Sequence, residues 1–415
     1  MKRISTHMPN TDMQFYMRER EYRMNSVQNK MAGQTRILNL RDDPTAAAHA
    51  VRYQSTIHRL EQFSKNVEYA QGNLKITEDK VREAVEILQR VRELAVQGAN
   101  GVYAKEDLRA LGIEVNQLLN QLVEIANARN GDGTTLFSGD KTGSLPFRAV
   151  LGNVGGMGEN VITQVEYIGT ITENRAEVSD GIYMRLNYPG NRVFWAENQQ
   201  IYSAVDATEY VLGEDARIFI DGVGIDLKAG DSIHAIIAKI NDSEAPVKAR
   251  LDPVRGSLVI ESTTPHQIWL QDTPNGRVLQ ELGLLRDGAS PPPANLDPTV
   301  RTFGGSVFDM VIRLRDELFK GNSIDVGGRA LRGIDNALNS LLATLGDIGA
   351  QGKRLEYTYA RLQTEIPDMK EMYSQTKDLD MTAAIIDLKL MENTHQAALS
   401  TAARILQPTL LDFLR

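Results

Sequence analysis

The sequence predicts an α+β protein, an elongated bundle of long N- and C-terminal coiled-coil helices with a β-rich insert domain between them. Apolar residues recur every seven positions near both ends of the chain, whereas the glycine- and proline-rich middle alternates like strands. A sustained seven-residue repeat keeps an apolar seam on one side of a slightly underwound helix, which must bury that seam against another helix. Helices of this kind at both ends indicate a chain built to assemble.

The N-terminal seam runs through two predicted helices. We expect the first over residues 10–39 and the second over 44–97, where Asp43 is a good N-cap before a proline at the first helical position. A third helix is expected at 105–129, because its apolar residues step by three and four. Gln34 falls on the seam, where a polar residue can set register at a cost in stability. The predicted seam positions are Met17, Met24, Met31, Leu38, Leu60, Val67, Leu74, Val81 and Leu88.

The C-terminal helices carry the matching repeat. Helical periodicity resumes at Val307 and again at Leu331, and continues toward the end of the chain. Pro367 is expected to kink or restart the helix, since an interior proline costs about 3 kcal/mol. The predicted seam positions here are Leu355, Leu362, Met369, Met372, Leu379, Ala383, Ile386, Leu390 and Ala397.

The sequence pattern in the middle of the chain predicts strands and one short helix. Asp221 and Gly222 are interpreted as a tight hairpin turn rather than a calcium loop, because the twelve-residue ligand series is missing. Strands are expected at 161–168, 182–187, 217–220, 247–251 and 258–262, and a helix at 232–241. The predicted domains are an N-terminal assembly helix (1–43), an N-terminal long-helix part of the rod (44–135), a β-rich domain (136–215), a small α/β insert with a proline-rich linker (216–302), a C-terminal rod helix (303–366) and a C-terminal assembly helix (367–415).

Composition argues against several kinds of function. The chain of 415 residues has a net charge of −8 and no cysteine, so it lacks the basic field of a general nucleic-acid binder and cannot form thiolate sites. None of the six histidines has metal-ligand spacing, and the glycines near 152–158 are not followed by a helix pattern. We therefore predict no catalytic, cofactor or metal site. The first ten residues lack an apolar secretion core, so we expect either a cytoplasmic chain or a different export route.

Three stretches resemble the flagellin superfamily. Residues 39–47, Asn-Leu-Arg-Asp-Asp-Pro-Thr-Ala-Ala, are similar to the junction between its first two helices. Residues 74–101 resemble its most recognisable helix, and residues 379–385 with 398–403 resemble its closing helix. The resemblance covers roughly 1–140 and 303–415, and it implies a structural protein of the bacterial flagellum.

Within this superfamily, the phrase Leu-Phe-Ser-Gly-Asp-Lys-Thr at 136–142 and the segment 178–194 resemble the branch that joins hook to filament. That branch implies a ring of about eleven copies between another hook-associated junction protein and flagellin. It also implies type III export with a cytoplasmic chaperone, to an external or periplasmic flagellum. The leading alternative is flagellin itself.

Two further alternatives remain open from the residues. Residues 1–41 hold eight Lys or Arg against three acidic residues, so this basic helix could bind a membrane or cell surface rather than a partner helix. Its narrow, methionine-rich apolar face favours the partner helix. A glycan-processing enzyme in the middle region is the other alternative, although no motif supports it.

Overall fold

Long α-helices occupy both ends of the chain, and short strands fill the region between them. The computed structural model describes residues 8–405 except 40, 156–157, 275 and 287–290. The helices are α1 (Met8–Ala32), α2 (Pro44–Ala99), α3 (Lys105–Ala126), α4 (Gly190–Val193), α5 (Ile233–Asn241), α6 (Val278–Glu281), α7 (Val307–Lys320), α8 (Ser323–Asp325), α9 (Leu331–Lys377) and α10 (Met381–Ile405). A π-helical turn, Val326–Ala330, joins α8 to α9.

The strands form small antiparallel sheets. They are β1 (Phe147–Val154), β2 (Gly158–Tyr167), β3 (Arg175–Ser179), β4 (Ile182–Arg185), β5 (Gln200–Asp206), β6 (Ala216–Ile220), β7 (Val223–Leu227), β8 (Val247–Leu251), β9 (Ser257–Ser262), β10 (Leu270–Asp272) and β11 (Arg301–Phe303). Their orders are β1-β2, β3-β4, β10-β6-β7 and β11-β5-β9-β8. The predicted α+β class, with long terminal helices and a strand-rich middle, is confirmed.

The chain divides into two units. The terminal unit comprises Met1–Lys65 with Tyr359–Arg415, and the central unit comprises Asn66–Thr358. Parts of the predicted assembly helices, residues 1–7 and 406–415, lie outside the described residues, as does residue 290 of the predicted linker.

Two helix predictions are wrong in detail. The first helix ends at Ala32 instead of continuing to residue 39, because Gly33 and Gln34 leave the helix and Gln34 adopts a positive φ of 48°. Gln34 is therefore a turn residue rather than a seam residue. Pro367 does not restart the helix, because α9 runs from Leu331 to Lys377 with the proline inside it, and the expected kink there stays a prediction. Pro367 is exposed, so the carbonyl that loses its amide partner can bond to water.

The central unit holds two cores. In one, α5 and two sheets, β10-β6-β7 and β11-β5-β9-β8, enclose the side chains of Ile218, Ile236 and Ile260. The predicted boundary at residue 216 falls inside this core, because β5 pairs with β9. The hairpin at Asp221 and Gly222 is confirmed; both residues have positive φ and join β6 to β7.

The second core of the central unit is aromatic. The Phe194 ring packs 5.1 Å from the Phe137 ring, 5.4 Å from Phe147 and 5.5 Å from Phe308. Helices α3 and α7 pack together beside β2. This arrangement joins the third N-terminal helix to the first C-terminal one inside the same unit.

Candidate assembly surface

The turns between helices in the terminal unit are bonded to each other. The Arg36 amide donates to the Lys377 carbonyl at 2.8 Å, and the Leu379 amide donates to the Gln34 carbonyl at 3.2 Å. The Arg36 guanidinium also donates to the Thr376 carbonyl at 3.0 Å. These bonds hold the α1–α2 turn against the α9–α10 turn, although about 340 residues separate them in sequence.

Asp43 caps α2 as predicted. Its carboxylate accepts hydrogen bonds from the Ala46 amide at 2.9 Å and the Thr45 hydroxyl at 2.8 Å, and both bonds lower the pKa of Asp43. Asp42 accepts from the Leu38 and Asn39 amides and so fixes the preceding turn. The pair of aspartates before the proline therefore determines where the long helix begins.

Helix α10 packs against α1 in the terminal unit. The Arg20 guanidinium donates to the Thr394 carbonyl at 3.1 Å, which fixes the two helices along their length. The α10 side chains with the least exposure are spaced by three and four residues, as a seam requires: Ala384, Leu388, Met391, His395, Ala398 and Ala402. The methionines of α1 are half-buried on the same helix pair. They are Met13, Met17, Met24 and Met31.

The α10 positions of the predicted C-terminal seam lie on a different face of the helix from this buried stripe. Ile386 is 63% exposed and Leu390 is 61% exposed, and the predicted positions Ala383 and Ala397 are also exposed. Leu38 and Met372 are exposed at 42% and 44%. Met369 and Leu379 are half-buried. Helix α10 thus carries one apolar stripe toward α1 and a second that faces outward.

The remaining predicted positions of the terminal unit are buried between α2 and α9. Leu60 and Leu362 are 7% and 1% exposed. Nearby, the Lys370 ammonium lies 2.7 Å from the Glu61 carboxylate, and this hydrogen bond lowers the pKa of Glu61. The pair is largely exposed, so it orients the helices more than it stabilises them.

The predicted seam positions that belong to the central unit are fully buried. Val67, Leu74, Val81, Leu88 and Leu355 are each 2% exposed or less. These positions belong to the unit's own core. Exposed apolar side chains of the terminal unit lie on α10 and, as Phe15, Tyr16 and Tyr22, on α1.

Arg315 is a structural residue that the sequence did not reveal. It is fully buried in α7 and donates to the Ile162 carbonyl at 2.7 Å, to the Asn116 side chain at 3.1 Å, and to Asp316 through two nitrogens. It therefore ties α7 to α3 and β2. Its place four residues after Val311 on the apolar stripe was the available signal.

Other polar clusters in the central unit are explained by the fold. The buried His266 bonds to Asp221 at 2.9 Å and to the Thr264 carbonyl at 2.8 Å, and so fastens the β6–β7 turn. A cleft of about 810 Å³ is bordered by Glu173, which pairs with Arg185 and Arg192. Among the described residues, no cluster of potential ligands could hold a metal ion, and no helix is long and apolar enough to cross a bilayer.

The chain is therefore a helical-end protein, in which α1 packs against α10 and α10 also carries exposed apolar residues. The description "Bacterial flagellin N-terminal helical region" matches residues 4–142, and "Bacterial flagellin C-terminal helical region" matches 331–414. The "Flagellin hook IN motif" matches 216–264. The two terminal matches together cover more than half of the chain, and the chain belongs to the flagellin superfamily.

Individual relatives include both filament and hook-associated proteins. Flagellin FlaB1 of Treponema pallidum is 31% identical over 155 residues, which cover 37% of this chain and 54% of the relative. The flagellar filament 33 kDa core protein of Treponema phagedenis is 25% identical over 243 residues, covering 57% and 84%. Flagellar hook-associated protein 3 of Escherichia coli is 28% identical over 137 residues, covering 33% and 43%. The chain thus spans about half the length of several curated relatives that it matches.

Among solved structures, the flagellar hook associated protein-3 from Legionella pneumophila is 18% identical. It aligns over 78% of this chain and 97% of its own, with a TM-score of 0.48. The identification of the superfamily therefore depends on the matched helical ends rather than on this superposition.

Proposed function

We propose that this chain is a structural adaptor of the bacterial flagellum, which joins the hook, through another hook-associated protein, to the flagellin filament. It would be exported by the flagellar type III apparatus with a cytoplasmic chaperone and would form a ring of about eleven copies. It would act by assembly rather than by catalysis.

The observation that carries this proposal is that the two segments resembling the junction branch form one folded unit. Phe137, from the first segment, packs on Phe194, from the second, with ring centroids 5.1 Å apart. The Gly190 amide donates to the Phe137 carbonyl at 2.8 Å, and the Tyr167 hydroxyl donates to the same carbonyl. Because both segments contribute to one core, their two resemblances support the same assignment, to the junction branch.

The outward stripe of α10 supports assembly through the terminal unit. Ile386 and Leu390, two predicted seam positions on this stripe, are 63% and 61% exposed. A neighbouring helix that covered them would gain about 25 cal/mol for each Å² of apolar surface removed from water. The predicted seam residues on this stripe are thus available to another subunit of the same chain, to flagellin, or to the second junction protein.

A flagellin is the second candidate, and one observation favours it. The filament core protein of Treponema phagedenis aligns over 84% of its own length, whereas hook-associated protein 3 of Escherichia coli aligns over 43%. The longer alignment agrees with a filament subunit. The branch-specific segments favour the junction.

Deletion of the gene in the source bacterium tests the proposal. A junction protein is required for filament growth, so the mutant should have hooks without filaments and release unpolymerised flagellin. The flagellin candidate predicts instead that a filament component disappears while the junction remains. Normal flagella in the mutant would contradict both.

A further inference from the structure

One side of the four-stranded sheet β11-β5-β9-β8 is an exposed surface of aromatic and basic side chains. Tyr202 on β5 pairs with Arg301 on β11 and with Val259 on β9, and Val259 pairs with Arg250 on β8. Directly paired residues share one side of a sheet, so this row lies together. The next row adds Phe303 and Lys248. We call Tyr202, Lys248, Arg250, Arg301 and Phe303 the aromatic–basic face.

The aromatic–basic face is held in place by its own contacts. The Tyr202 and Phe303 rings meet edge to face at 5.4 Å. The Arg250 guanidinium lies 5.7 Å from the Tyr202 ring centroid and donates to its hydroxyl at 3.0 Å. Phe303 is still 54% exposed. Side chains fixed before binding lose less conformational entropy when a partner arrives.

Basic residues outnumber acidic ones on this side of the sheet, since its two rows hold Lys248, Arg250 and Arg301 against one half-buried carboxylate, Glu261, which is paired with Lys248 in the ladder. None of the ion pairs formed by described residues includes Lys248, Arg250 or Arg301, although the whole chain has a net charge of −8. Tyrosine, phenylalanine and arginine are the residues enriched at the centres of protein interfaces. The face therefore suits an acidic protein surface, since like charges across an interface are costly.

A second surface of the same unit supplies that complement. Four exposed carboxylates lie in the segment between β5 and β6 and at the end of α6: Glu209, Glu214, Asp215 and Glu281. We call them the acidic ridge. Three of them border a cleft of about 430 Å³ that Arg277 also lines. Val211, within the same segment, is 58% exposed and gives the ridge an apolar point.

We propose that the aromatic–basic face of one copy of this chain docks on the acidic ridge of the next copy. The residues of both surfaces are exposed except Tyr202, which is half-buried, so each surface is open to a neighbour. A contact between two different surfaces is head-to-tail, and repetition of such a contact produces a ring or a helix rather than a two-fold dimer. The inference rests on the proposed function, because it supplies a lateral contact for the proposed ring.

Charge exchange tests the contact in the full-length chain. One variant carries Arg250→Glu with Arg301→Glu, and the other carries Glu209→Lys with Glu214→Lys. Each variant alone should self-associate at least tenfold more weakly than the wild type in low-salt sedimentation equilibrium. An equimolar mixture should regain association, because the reversed face of one variant then meets the reversed ridge of the other. A mixture no tighter than its components would overturn the proposal.

A cysteine experiment covers the case in which a charge variant does not fold. The chain has no cysteine, so Phe303→Cys and Val211→Cys each introduce a single thiol. Mild oxidation of a mixture of the two variants should give a disulfide between a Phe303→Cys chain and a Val211→Cys chain. Oxidation of Phe303→Cys alone should give a much lower yield of disulfide-linked dimer. Equal yields from Phe303→Cys alone would indicate a symmetric contact and reject the head-to-tail one. Binding of wild-type chain to polyglutamate or heparin without self-association would assign the face to a foreign polyanion and also reject the proposal.

The location of the chain on the flagellum separates this inference from the proposed function. If the charge-exchanged variants still label the hook tip but the contact tests fail, the lateral contact is wrong and the adaptor function stands. If the contact forms but the label follows the filament, the adaptor function is wrong and the contact belongs to a filament subunit.

Discussion

Replacement of Arg315 by alanine should destabilise the central unit by about 3 kcal/mol, because it leaves a buried carbonyl without its donor and a cavity in the core. The side chain is fully buried and bonds three groups from three elements: the Ile162 carbonyl, the Asn116 amide oxygen and the Asp316 carboxylate. Its loss therefore affects the contact between α3, α7 and β2 at one point.

The magnitude follows from the groups left behind. A buried acceptor that loses its donor costs about 1–3 kcal/mol, and Ile162 is the clearest case because its carbonyl is buried with Arg315 at 2.7 Å. The empty volume of the side chain adds a cavity term. Asp316 contributes less, because its side chain is 33% exposed and water can replace the guanidinium. Arg315→Met should destabilise the unit less than Arg315→Ala, since it keeps the volume and loses the hydrogen bonds.

Tryptophan fluorescence during urea unfolding measures this effect. Both tryptophans, Trp195 and Trp269, lie in the central unit and report its unfolding. Arg313→Ala is the matched control, because Arg313 is exposed on the same helix and its removal should change the unfolding free energy by less than about 0.5 kcal/mol. If Arg315→Ala stays within about 1 kcal/mol of the wild type, the structural role assigned to the buried guanidinium is wrong.

Three further outcomes are expected. Gly112→Ala should destabilise the central unit by about 1–3 kcal/mol, because a Cβ there would lie 2.6 Å from the Phe319 ring. Gly349 has open space around it, so Gly349→Ala should stabilise the same unit by about 0.5–1 kcal/mol. Burial raises the pKa of the Asp272 carboxyl to about 6. The contribution of this carboxyl to stability is therefore full below pH 4 and is lost as the pH rises through 6. In urea unfolding, Asp272→Asn should remove about 1–2 kcal/mol of the pH dependence of the unfolding free energy. Leu390→Ser should leave monomer unfolding unchanged and reduce swimming in soft agar.

Each of these outcomes has its own control. Destabilisation by both glycine variants alike would point to a general effect of substitution rather than to the Phe319 contact. For the carboxyl group, a pH profile in Asp272→Asn that matches the wild type would reject the burial argument. Lys389 is the neighbour of Leu390 on α10, so Lys389→Ser is the control for the swimming assay. Equal loss of swimming in both variants would contradict a role for the apolar stripe.

The helices were predictable because their signals are local. The aspartates and proline at 42–44 determined the start of α2, and the three-and-four spacing of α3 gave its position. The β6–β7 hairpin followed from Asp221 and Gly222, since consecutive positive φ angles require residues of this kind. Such features depend on neighbours within a few positions.

The register of the terminal seam depended on a partner that the sequence does not specify. Helix α10 has apolar residues on two separate faces, one through Ile386 and Leu390 and one through Leu388 and Met391. Periodicity identifies both stripes equally well, and only the packing of α1 selects the second as the buried one. The assignment of the first stripe to another subunit stays a prediction.

The non-local features were the ones that sequence reasoning missed. Pro367 lies inside α9 because the helix on either side stabilises it and its exposed position lets water bond the freed carbonyl. Strand β5 joins the insert through pairing with β9, more than fifty residues later. The aromatic–basic face also depends on this pairing, which places Tyr202 of β5 beside Val259 of β9, and no local motif marks it.

Immunogold labelling of isolated flagella with antibody against the fragment 134–300 tests the central claim most directly. The adaptor function predicts label in one narrow zone at the tip of the hook, where the proposed ring would lie. Label spread along the filament would contradict the adaptor function and make the chain a filament subunit, and flagella without label would contradict both.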